Sequence, residues 1–234
     1  MTVYCNDGFY DEADVPYAGL PHFRYGAGFF ETILCDRGEL CRLDRHLDRI
    51  LSSCRDFGYR TYSFDYKGVA ARVVEENGLS GSTARVNICH LAQSADQYSV
   101  FIAAAHYTPP PADKVVRLCT YPHVHDSYMN RYKSLSYMHF HMAKKYAADR
   151  GFDDAVLTDG SGNVLETASS ALVVRRGDVY YAPLSENRLM SISLDVFRDE
   201  NRVEQADTHV SETDYDGLLV MNSLMGVRKA IWTE

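Results

Sequence analysis

Three consecutive prolines near the middle of the chain, Pro109–Pro111, constrain its fold more than any other sequence feature. Each proline fixes its own φ angle and removes a backbone N–H donor, so the run is incompatible with a helix interior or a central strand. Proline-rich stretches instead form stiff, extended connections between folded parts. The sequence therefore predicts two domains, 1–108 and 115–234, joined by a linker over 109–114.

The composition indicates a soluble globular protein. The 234 residues are 46% hydrophobic and 24% charged, which excludes a disordered or fibrous chain. A formal net charge of −8 disfavours binding to nucleic acid or to an anionic membrane. The longest apolar run, Val100–Ala105, has six residues, whereas a membrane-spanning helix needs roughly twenty. The N-terminus lacks the basic and apolar regions of a signal peptide, so we expect a cytoplasmic protein.

Turn signals and apolar periodicity predict a small α+β domain in the first part of the chain. Four strands are expected, in two pairs, over Phe29–Cys35, Glu39–Leu43, Ala84–Leu91 and Tyr98–Tyr107. The first pair is joined by Asp36-Arg37-Gly38, which is typical of a hairpin turn. Two helices are expected between the pairs, one over 43–54 that is ended by Gly58 and one over Tyr66–Asn77.

The second part predicts a larger α+β domain. It opens with a strand over Val115–Tyr121, followed by an amphipathic helix over Lys133–Asp149. The apolar face of that helix would carry Leu135, Met138, Met142 and Tyr146. Short strands separated by polar, glycine-containing turns predict an antiparallel meander over Ala155–Thr158, Val164–Thr167, Ala171–Val174 and Val179–Ala182. A helix around Ser191–Glu200 and a strand over Leu218–Met221 complete the domain.

Three charged residues are candidates for function, but spacing alone leaves their roles open. Lys133 stands at the start of a predicted helix, where a solvated lysine is the ordinary case. Glu166 lies within a strand pattern, and if it faces inward it needs a cationic partner. Arg49 lies beside the apolar stripe of its helix, where its stem would cover the core.

Six segments nevertheless occur in a characteristic order. They are Tyr25–Thr32, similar to "yGdGvFEt"; His46–Ile50, similar to "eHl.RL"; Lys133–Tyr137, similar to "KslnyL"; Asp153–Thr167, similar to "deallld..G.v.Et"; Leu189–Ser193, similar to "LpGiT"; and Met221–Val227, similar to "tNSl.Gi". Together they resemble the class IV pyridoxal-phosphate enzymes, which comprise branched-chain aminotransferases, D-amino-acid aminotransferases and 4-amino-4-deoxychorismate lyases. The resemblance implies the mixed α+β architecture of fold type IV, with a small N-terminal domain and a larger C-terminal one. The larger domain would hold an antiparallel meander or barrel with flanking helices.

The resemblance also implies a cofactor and the residues that hold it. Pyridoxal phosphate would lie between the two domains, linked through a Schiff base to Lys133, whose freed amine would then move protons at the substrate α-carbon and at cofactor C4′. Glu166 matches the carboxylate that keeps the pyridine nitrogen protonated. The groups that match the phosphate site are Arg49, Ile192 and Ser193 at a helix N-terminus, and the hydroxyl of Ser223.

Departures from the family pattern fall around the substrate. Ala27 replaces the aspartate of "yGdG", Ala171 replaces an asparagine, and Met190-Ser191 replace the proline and glycine of "LpGiT". Val86–Leu91 stands where relatives usually carry an arginine-glycine pair. The candidate substrate-binding residues are Arg85, which would clamp a carboxylate, Tyr25 and His90.

Two activities on a small-molecule amino substrate follow from the resemblance. A lyase would convert aminodeoxychorismate into 4-aminobenzoate and pyruvate for folate synthesis; lyases of the family tend to carry a threonine at the Thr32 position, where it could protonate the departing pyruvate enol. The Asn222–Gly226 segment is also lyase-like. The alternative is a transaminase of branched-chain or D-amino acids, with Thr32 serving strand packing. A non-catalytic relative is disfavoured by Lys133, Glu166 and Arg49. Because relatives in the family are homodimers, the resemblance also implies a homodimer with C2 symmetry for this chain.

Histidines and cysteines suggest no metal site. The two H-x-H pairs, His123/His125 and His139/His141, raise the alternative of a metal-binding protein. On a helix, however, His139 and His141 point about 200° apart and cannot chelate one ion together. The six cysteines include no C-x-x-C pair and are expected to be reduced structural thiols.

Overall fold

The computed structural model describes residues 2–5, 8–11, 20–209 and 214–233, and in it the chain forms two compact units. The first contains the described residues up to Ala105 together with Lys133–Tyr137, and the second contains His106–Tyr132 and the described residues from Met138 onward. The fold is mixed α+β, as predicted. The predicted division differs in two places. Residues 106–108, placed in the first domain, and 109–114, predicted to be a linker, belong to the second unit, whereas Lys133–Tyr137, placed in the second domain, belongs to the first.

The first unit is built around a four-stranded sheet. Its described strands are β1 Thr2–Cys5, β2 Gly8–Asp11, β3 Gly28–Asp36, β4 Glu39–Leu40, β5 Thr83–Ala92 and β6 Tyr98–His106. Its described helices are α1 Pro21–Tyr25, α2 Leu43–Asp56 and α3 Tyr66–Glu76. The sheet has the order β4-β3-β5-β6, and β1 pairs with β2 separately. The predicted hairpin is confirmed: Arg37 (φ 49°) and Gly38 (φ 85°) both have positive φ, as a type I′ turn requires.

Alternation along β3 and β5 gives the sheet one buried and one accessible face. Ile33 and Cys35 on β3, and Ala84, Val86 and Ile88 on β5, form the core with residues of α2 and α3. The intervening residues lie on the other face, in register as Phe30 with Cys89, Thr32 with Asn87 and Leu34 with Arg85. We call these six residues the open face of the first sheet.

Residues 133–135 pair with the edge of β3. The Phe30 N–H donates to the Lys133 carbonyl (2.9 Å) and the Leu135 N–H donates to the Gly28 carbonyl (3.0 Å). A Cβ atom at Gly28 (φ 135°) would lie 2.1 Å from the His90 carbonyl oxygen, so only glycine permits this packing. At Gly26 (φ 63°) a Cβ atom would lie 2.8 Å from the Ser136 hydroxyl. These two glycines therefore explain the "yGxG" pattern of the sequence.

The second unit contains an eight-stranded sheet, two described α-helices and a short 3-10 helix over Tyr128–Arg131. The strands are β7 Val116–Thr120, β8 Asp154–Thr158, β9 Val164–Thr167, β10 Ala171–Arg176, β11 Val179–Ala182, β12 Val203–Gln205, β13 Gly217–Asn222 and β14 Gly226–Trp232, and the helices are α4 Met138–Asp149 and α5 Ile192–Glu200. The sheet order is β12-β11-β10-β13-β14-β7-β8-β9. Most residues of β8, β9 and β10 are buried on both faces. Within the described part of the chain, no helix has the length and apolar character needed to cross a bilayer.

The predictions for α4 were wrong in its start and in its buried face. The helix begins at Met138 rather than Lys133, because residues 133–135 pair with β3. Its buried side carries Phe140, Ala143 and Ala147, whereas Met138 is 69% exposed and Met142 is 43% exposed.

The four short strands form two antiparallel hairpins, β8–β9 and β10–β11, rather than one continuous meander. In the sheet, β13, β14 and β7 lie between the two hairpins. The β7 strand pairs in parallel with both of its neighbours, β14 and β8. The sequence did not predict β12 and β14, which lie on either side of the predicted strand β13 along the chain.

Candidate active site

The side chain of Lys133 lies against two aromatic rings. Its Nζ atom is 4.5 Å from the centroid of the Phe30 ring and 5.0 Å from that of Tyr137. The two rings contact each other edge to face, with centroids 5.1 Å apart. Ring faces attract an ammonium group by about 0.5–2 kcal/mol. The Lys133 amine is therefore held against Phe30, at one end of the open face.

Thr32 lies on the same face of β3 as Phe30, because side chains two residues apart on a strand point the same way. Its Oγ1 atom accepts a hydrogen bond of 2.9 Å from the side-chain amide of Asn87. The same amide nitrogen donates to the Glu31 carbonyl oxygen at 3.2 Å. The structure thus brings the two predicted catalytic residues, Lys133 and Thr32, to one face of the first sheet. Arg85 is exposed on that face, opposite Leu34.

Tyr25 and His90 occupy different surroundings. Tyr25 ends α1 and is exposed, and its carbonyl oxygen accepts a hydrogen bond from Ser136 Oγ (2.9 Å). His90 is fully buried, with Cys54 Sγ 3.0 Å from Nδ1 and the Tyr66 hydroxyl 2.9 Å from Nε2.

The prediction that His90 binds substrate is therefore wrong, because both ring nitrogens are satisfied inside the core. Burial lowers the pKa of His90 to about 4, against the opposing effect of the Glu31 charge, so the ring is neutral at pH 7. The ring also stacks on Tyr98, with centroids 4.2 Å apart.

Arg49 forms a buried ion pair with Glu31 that the sequence did not predict. Arg49 Nε and Nη2 donate to the two carboxylate oxygens at 2.7 and 2.6 Å. His46 Nδ1 donates to the same carboxylate at 2.6 Å. Burial alone raises the pKa of Glu31, but the Arg49 charge and the hydrogen bonds from His46 and Arg49 together hold it below its ordinary value. A signal existed: His46 and Arg49 are three residues apart on α2 and so share one helix face.

Glu166 is buried on β9 in the second unit. Its Oε1 atom accepts a hydrogen bond of 3.1 Å from the Leu189 N–H and lies 3.5 Å from His125 Nε2. His125 is also buried, and its ring stacks on His139 with centroids 4.8 Å apart. Burial, with the charges of His125 and His123, lowers the pKa of His139. From the sequence, the alternative role raised for these histidines was metal binding. Among the described residues, no three His, Cys, Asp or Glu side chains form a candidate metal site.

The N-terminus of α5 offers backbone N–H groups. Ser191 caps the helix by accepting from the Leu194 N–H at 3.2 Å, and Ile192 and Ser193 follow it as buried first-turn residues. The first N–H groups of a helix lack partners within the helix, and its dipole favours an anion there. Ile192 and Ser193 are thus in a position suited to binding a phosphate.

Ser223 lies in the turn between β13 and β14, and Asn222 orders that turn. The Asn222 side-chain oxygen accepts from the N–H groups of Leu224 (3.0 Å) and Met225 (2.9 Å). Its amide nitrogen donates to the Ser169 carbonyl and the Ser170 hydroxyl, both at 3.2 Å. The turn that carries the Ser223 hydroxyl is therefore fixed to the loop after β9.

Comparison with known proteins identifies relatives. Residues 28–230 match the family model described as Amino-transferase class IV. A protein from Methanocaldococcus jannaschii assigned as a branched-chain-amino-acid aminotransferase is 25% identical, over 84% of this chain and 73% of its own.

Two solved structures have the same fold. One, from Legionella pneumophila and assigned as a 4-amino-4-deoxychorismate lyase, has a TM-score of 0.82 at 20% identity, covering 92% of this chain and 85% of its own. The other is a T.th. branched-chain amino acid aminotransferase complexed with N-(5′-phosphopyridoxyl)-L-glutamate. It has a TM-score of 0.79 at 19% identity and covers 99% of this chain and 85% of its own.

Proposed function

This chain belongs to the class IV aminotransferase family of pyridoxal-phosphate-dependent enzymes, and we propose that it is a 4-amino-4-deoxychorismate lyase, which releases pyruvate and 4-aminobenzoate. The observation that carries the choice of lyase is the Thr32 hydroxyl, which lies on the same sheet face as Phe30, the residue against which the Lys133 amine is held. A proton donor at the leaving oxygen assists an elimination. Thr32 offers such a donor.

The residues present fit pyridoxal phosphate. Its aldehyde requires an amine, its pyridine nitrogen a carboxylate, and its phosphate a set of hydrogen-bond donors. Lys133 would supply the amine, and Glu166, a buried carboxylate that already accepts from the Leu189 N–H, would face the nitrogen. The first turn of α5 and Ser223 would bind the phosphate, and Arg49, whose Nε and Nη2 already pair with Glu31, would contribute its positive charge. When bound, the cofactor supplies an electron sink for the pair left behind as a proton leaves the substrate carbon.

The chain's own residues would then move two protons. Lys133 would take the proton from the ring carbon that carries the substrate amine. The bond between the ring and the enolpyruvyl oxygen would break, with its electron pair leaving on that oxygen. The Thr32 hydroxyl would deliver a proton to this oxygen and be reprotonated by the Lys133 ammonium or solvent, and the released enol becomes pyruvate. The products together contain every atom of the substrate, so neither water nor a second substrate is consumed.

A branched-chain transaminase is the second candidate. The 25% identity to the Methanocaldococcus jannaschii protein favours it. Transamination would use the Lys133 amine and the Glu166 carboxylate in the same way, but it would return the proton to the cofactor and would not need the Thr32 hydroxyl as a donor. The two candidates therefore differ in their dependence on Thr32.

One set of assays separates them. Purified protein loaded with pyridoxal phosphate is given aminodeoxychorismate, or leucine with 2-oxoglutarate. We expect pyruvate and 4-aminobenzoate from the first. Thr32→Val should slow this release about 10²-fold or more while cofactor binding is retained, and Thr32→Ser should preserve most of the rate. Lys133→Ala is the inactive control. Brisk amino transfer from leucine without pyruvate release would refute the lyase assignment in favour of the transaminase.

A further inference from the structure

The side-chain amide of Asn87 has only one possible orientation in this structure. Its nitrogen lies 3.2 Å from the Glu31 carbonyl oxygen, an atom that can only accept hydrogen bonds. If the amide were flipped, the Asn87 amide oxygen would face the Glu31 carbonyl oxygen, and two hydrogen-bond acceptors would repel each other. The nitrogen must therefore face Glu31, and the same nitrogen lies 2.9 Å from Thr32 Oγ1.

This orientation decides the hydrogen-bonding role of Thr32. An amide nitrogen carries two hydrogens, and here one is directed to the Glu31 carbonyl and the other to Thr32 Oγ1. Thr32 must therefore use a lone pair toward Asn87. Its own hydroxyl hydrogen points away from Asn87 and remains available for another acceptor.

The pair is fixed by the sheet that carries it. Thr32 and Asn87 stand directly opposite each other, and β3 and β5 pair without interruption from Gly28–Leu91 to Asp36–Thr83. Both side chains are partly buried, so the hydrogen bond has a defined geometry while the face remains accessible. Opposed residues of an antiparallel pair are the closest neighbours on a sheet face.

We infer that Asn87 is a positioning residue that holds the Thr32 hydroxyl as a donor toward the leaving oxygen of an enolpyruvyl ether. This inference rests on the proposed lyase function and adds the residue that gives Thr32 its direction. The sequence offered no such role for Asn87, because its segment departs from the family pattern. A transaminase has no leaving oxygen to protonate, so its reaction would not depend on this hydrogen bond.

Asn87→Asp tests the inference by reversing the hydrogen bond at constant side-chain shape. The new carboxylate can only accept, so the Thr32 hydroxyl would donate to it and be lost to the substrate. We expect kcat for pyruvate release to fall about 10²-fold, with KM changed less than about threefold. Asn77→Asp introduces the same charge at the exposed end of α3, where the amide donates to the Val73 carbonyl, and serves as the matched control.

Asn87→Ala provides a second variant in case the aspartate destabilises the fold. It should lower kcat in the wild-type background and produce no further loss when added to Thr32→Val, because Asn87 would act only through Thr32. Urea unfolding of the cofactor-free wild type, the two single variants and the double variant should show that the two residues are energetically coupled.

The outcomes are distinct. A wild-type protein that releases no pyruvate overturns the lyase assignment and this inference with it. An active wild type in which Asn87→Ala and Thr32→Val reduce kcat independently, or in which Asn87→Asp matches Asn77→Asp, overturns only the role of Asn87. A change in KM alone would point to a structural contribution and would also contradict the inference.

Discussion

The ion pair between Arg49 and Glu31 should stabilise the folded protein. The Glu31 side chain is 1% exposed and that of Arg49 is 16% exposed. Replacing Arg49 by methionine keeps the volume of the stem but leaves the Glu31 carboxylate buried without its bidentate partner. We expect Arg49→Met to destabilise the cofactor-free protein.

The expected loss can be worked from the contacts. Removing one member of a buried ion pair typically costs about 3–5 kcal/mol. His46 still donates to the carboxylate in the variant, so we expect the lower end of that range, about 3 kcal/mol. With a denaturant slope of about 2 kcal/mol per molar urea, the unfolding midpoint should fall by about 1.5 M.

Urea unfolding at pH 7, without cofactor, measures this directly. Arg72→Met is the matched control, since Arg72 pairs with Glu76 on an exposed helix face, and its loss should cost less than about 0.5 kcal/mol. The double variant Glu31→Gln with Arg49→Met removes both charges and should recover most of the lost stability.

Acid unfolding gives a second measurement with a defined sign. The pKa of Glu31 in the folded protein lies below its ordinary value of 4.5. The stabilisation from this group is therefore complete above about pH 4.5 and is lost as the pH falls through the lower, folded-state value. Wild-type protein should lose stability in that range more steeply than the double variant.

Two results would refute the reasoning. One is a cost below about 1 kcal/mol for Arg49→Met, which would mean that the carboxylate is not buried as described. The other is a double variant as unstable as the two single variants combined, since independent effects of that kind contradict an ion pair.

Other variants and the intact protein test the remaining assignments. Borohydride reduction of the loaded protein should attach the cofactor to the peptide that contains Lys133, and Lys133→Ala should abolish this attachment. Glu166→Gln should retain the cofactor, measured by absorbance, but lower kcat by about 10²–10³-fold, since the electron sink loses its carboxylate. Arg37→Asn should raise the free energy of unfolding by about 0.5–1 kcal/mol in urea, because asparagine tolerates the positive φ better. Light scattering should give twice 26.5 kDa, the mass of a homodimer.

The parts of the fold that depend on residues close together in the chain could be predicted from the sequence. The β3–β4 turn and the helix that starts at Leu43 follow from the local pattern of glycine and apolar residues. The start of α4 could not be predicted, because the apolar pattern runs through Leu135 without a break. Pairing with the distant strand β3 keeps residues 133–135 out of the helix.

The candidate site shows the same division. The motif resemblance identified Lys133 and Thr32, which lie on one sheet face, but the Arg49–Glu31 pair joins residues 18 positions apart on a helix and a strand. The burial of His90 could be predicted from the alternation along β5, because Val86, Ile88 and Ala92 lie on the same buried face. Strand periodicity, and not the family position, therefore determines the place of His90.

The pairing of residues 133–135 with β3 also has a consequence for synthesis on the ribosome. The 27 residues of 106–132, all assigned to the second unit, must be made before this segment emerges. At about 5–20 residues per second, the delay is roughly 1–5 s. Throughout it the Phe30 N–H and the Gly28 carbonyl lack their final partners, and an unpaired strand edge is a template for incorrect pairing. A nascent chain that stalls in this interval therefore presents an open β edge, which the arrival of the lysine-bearing segment closes.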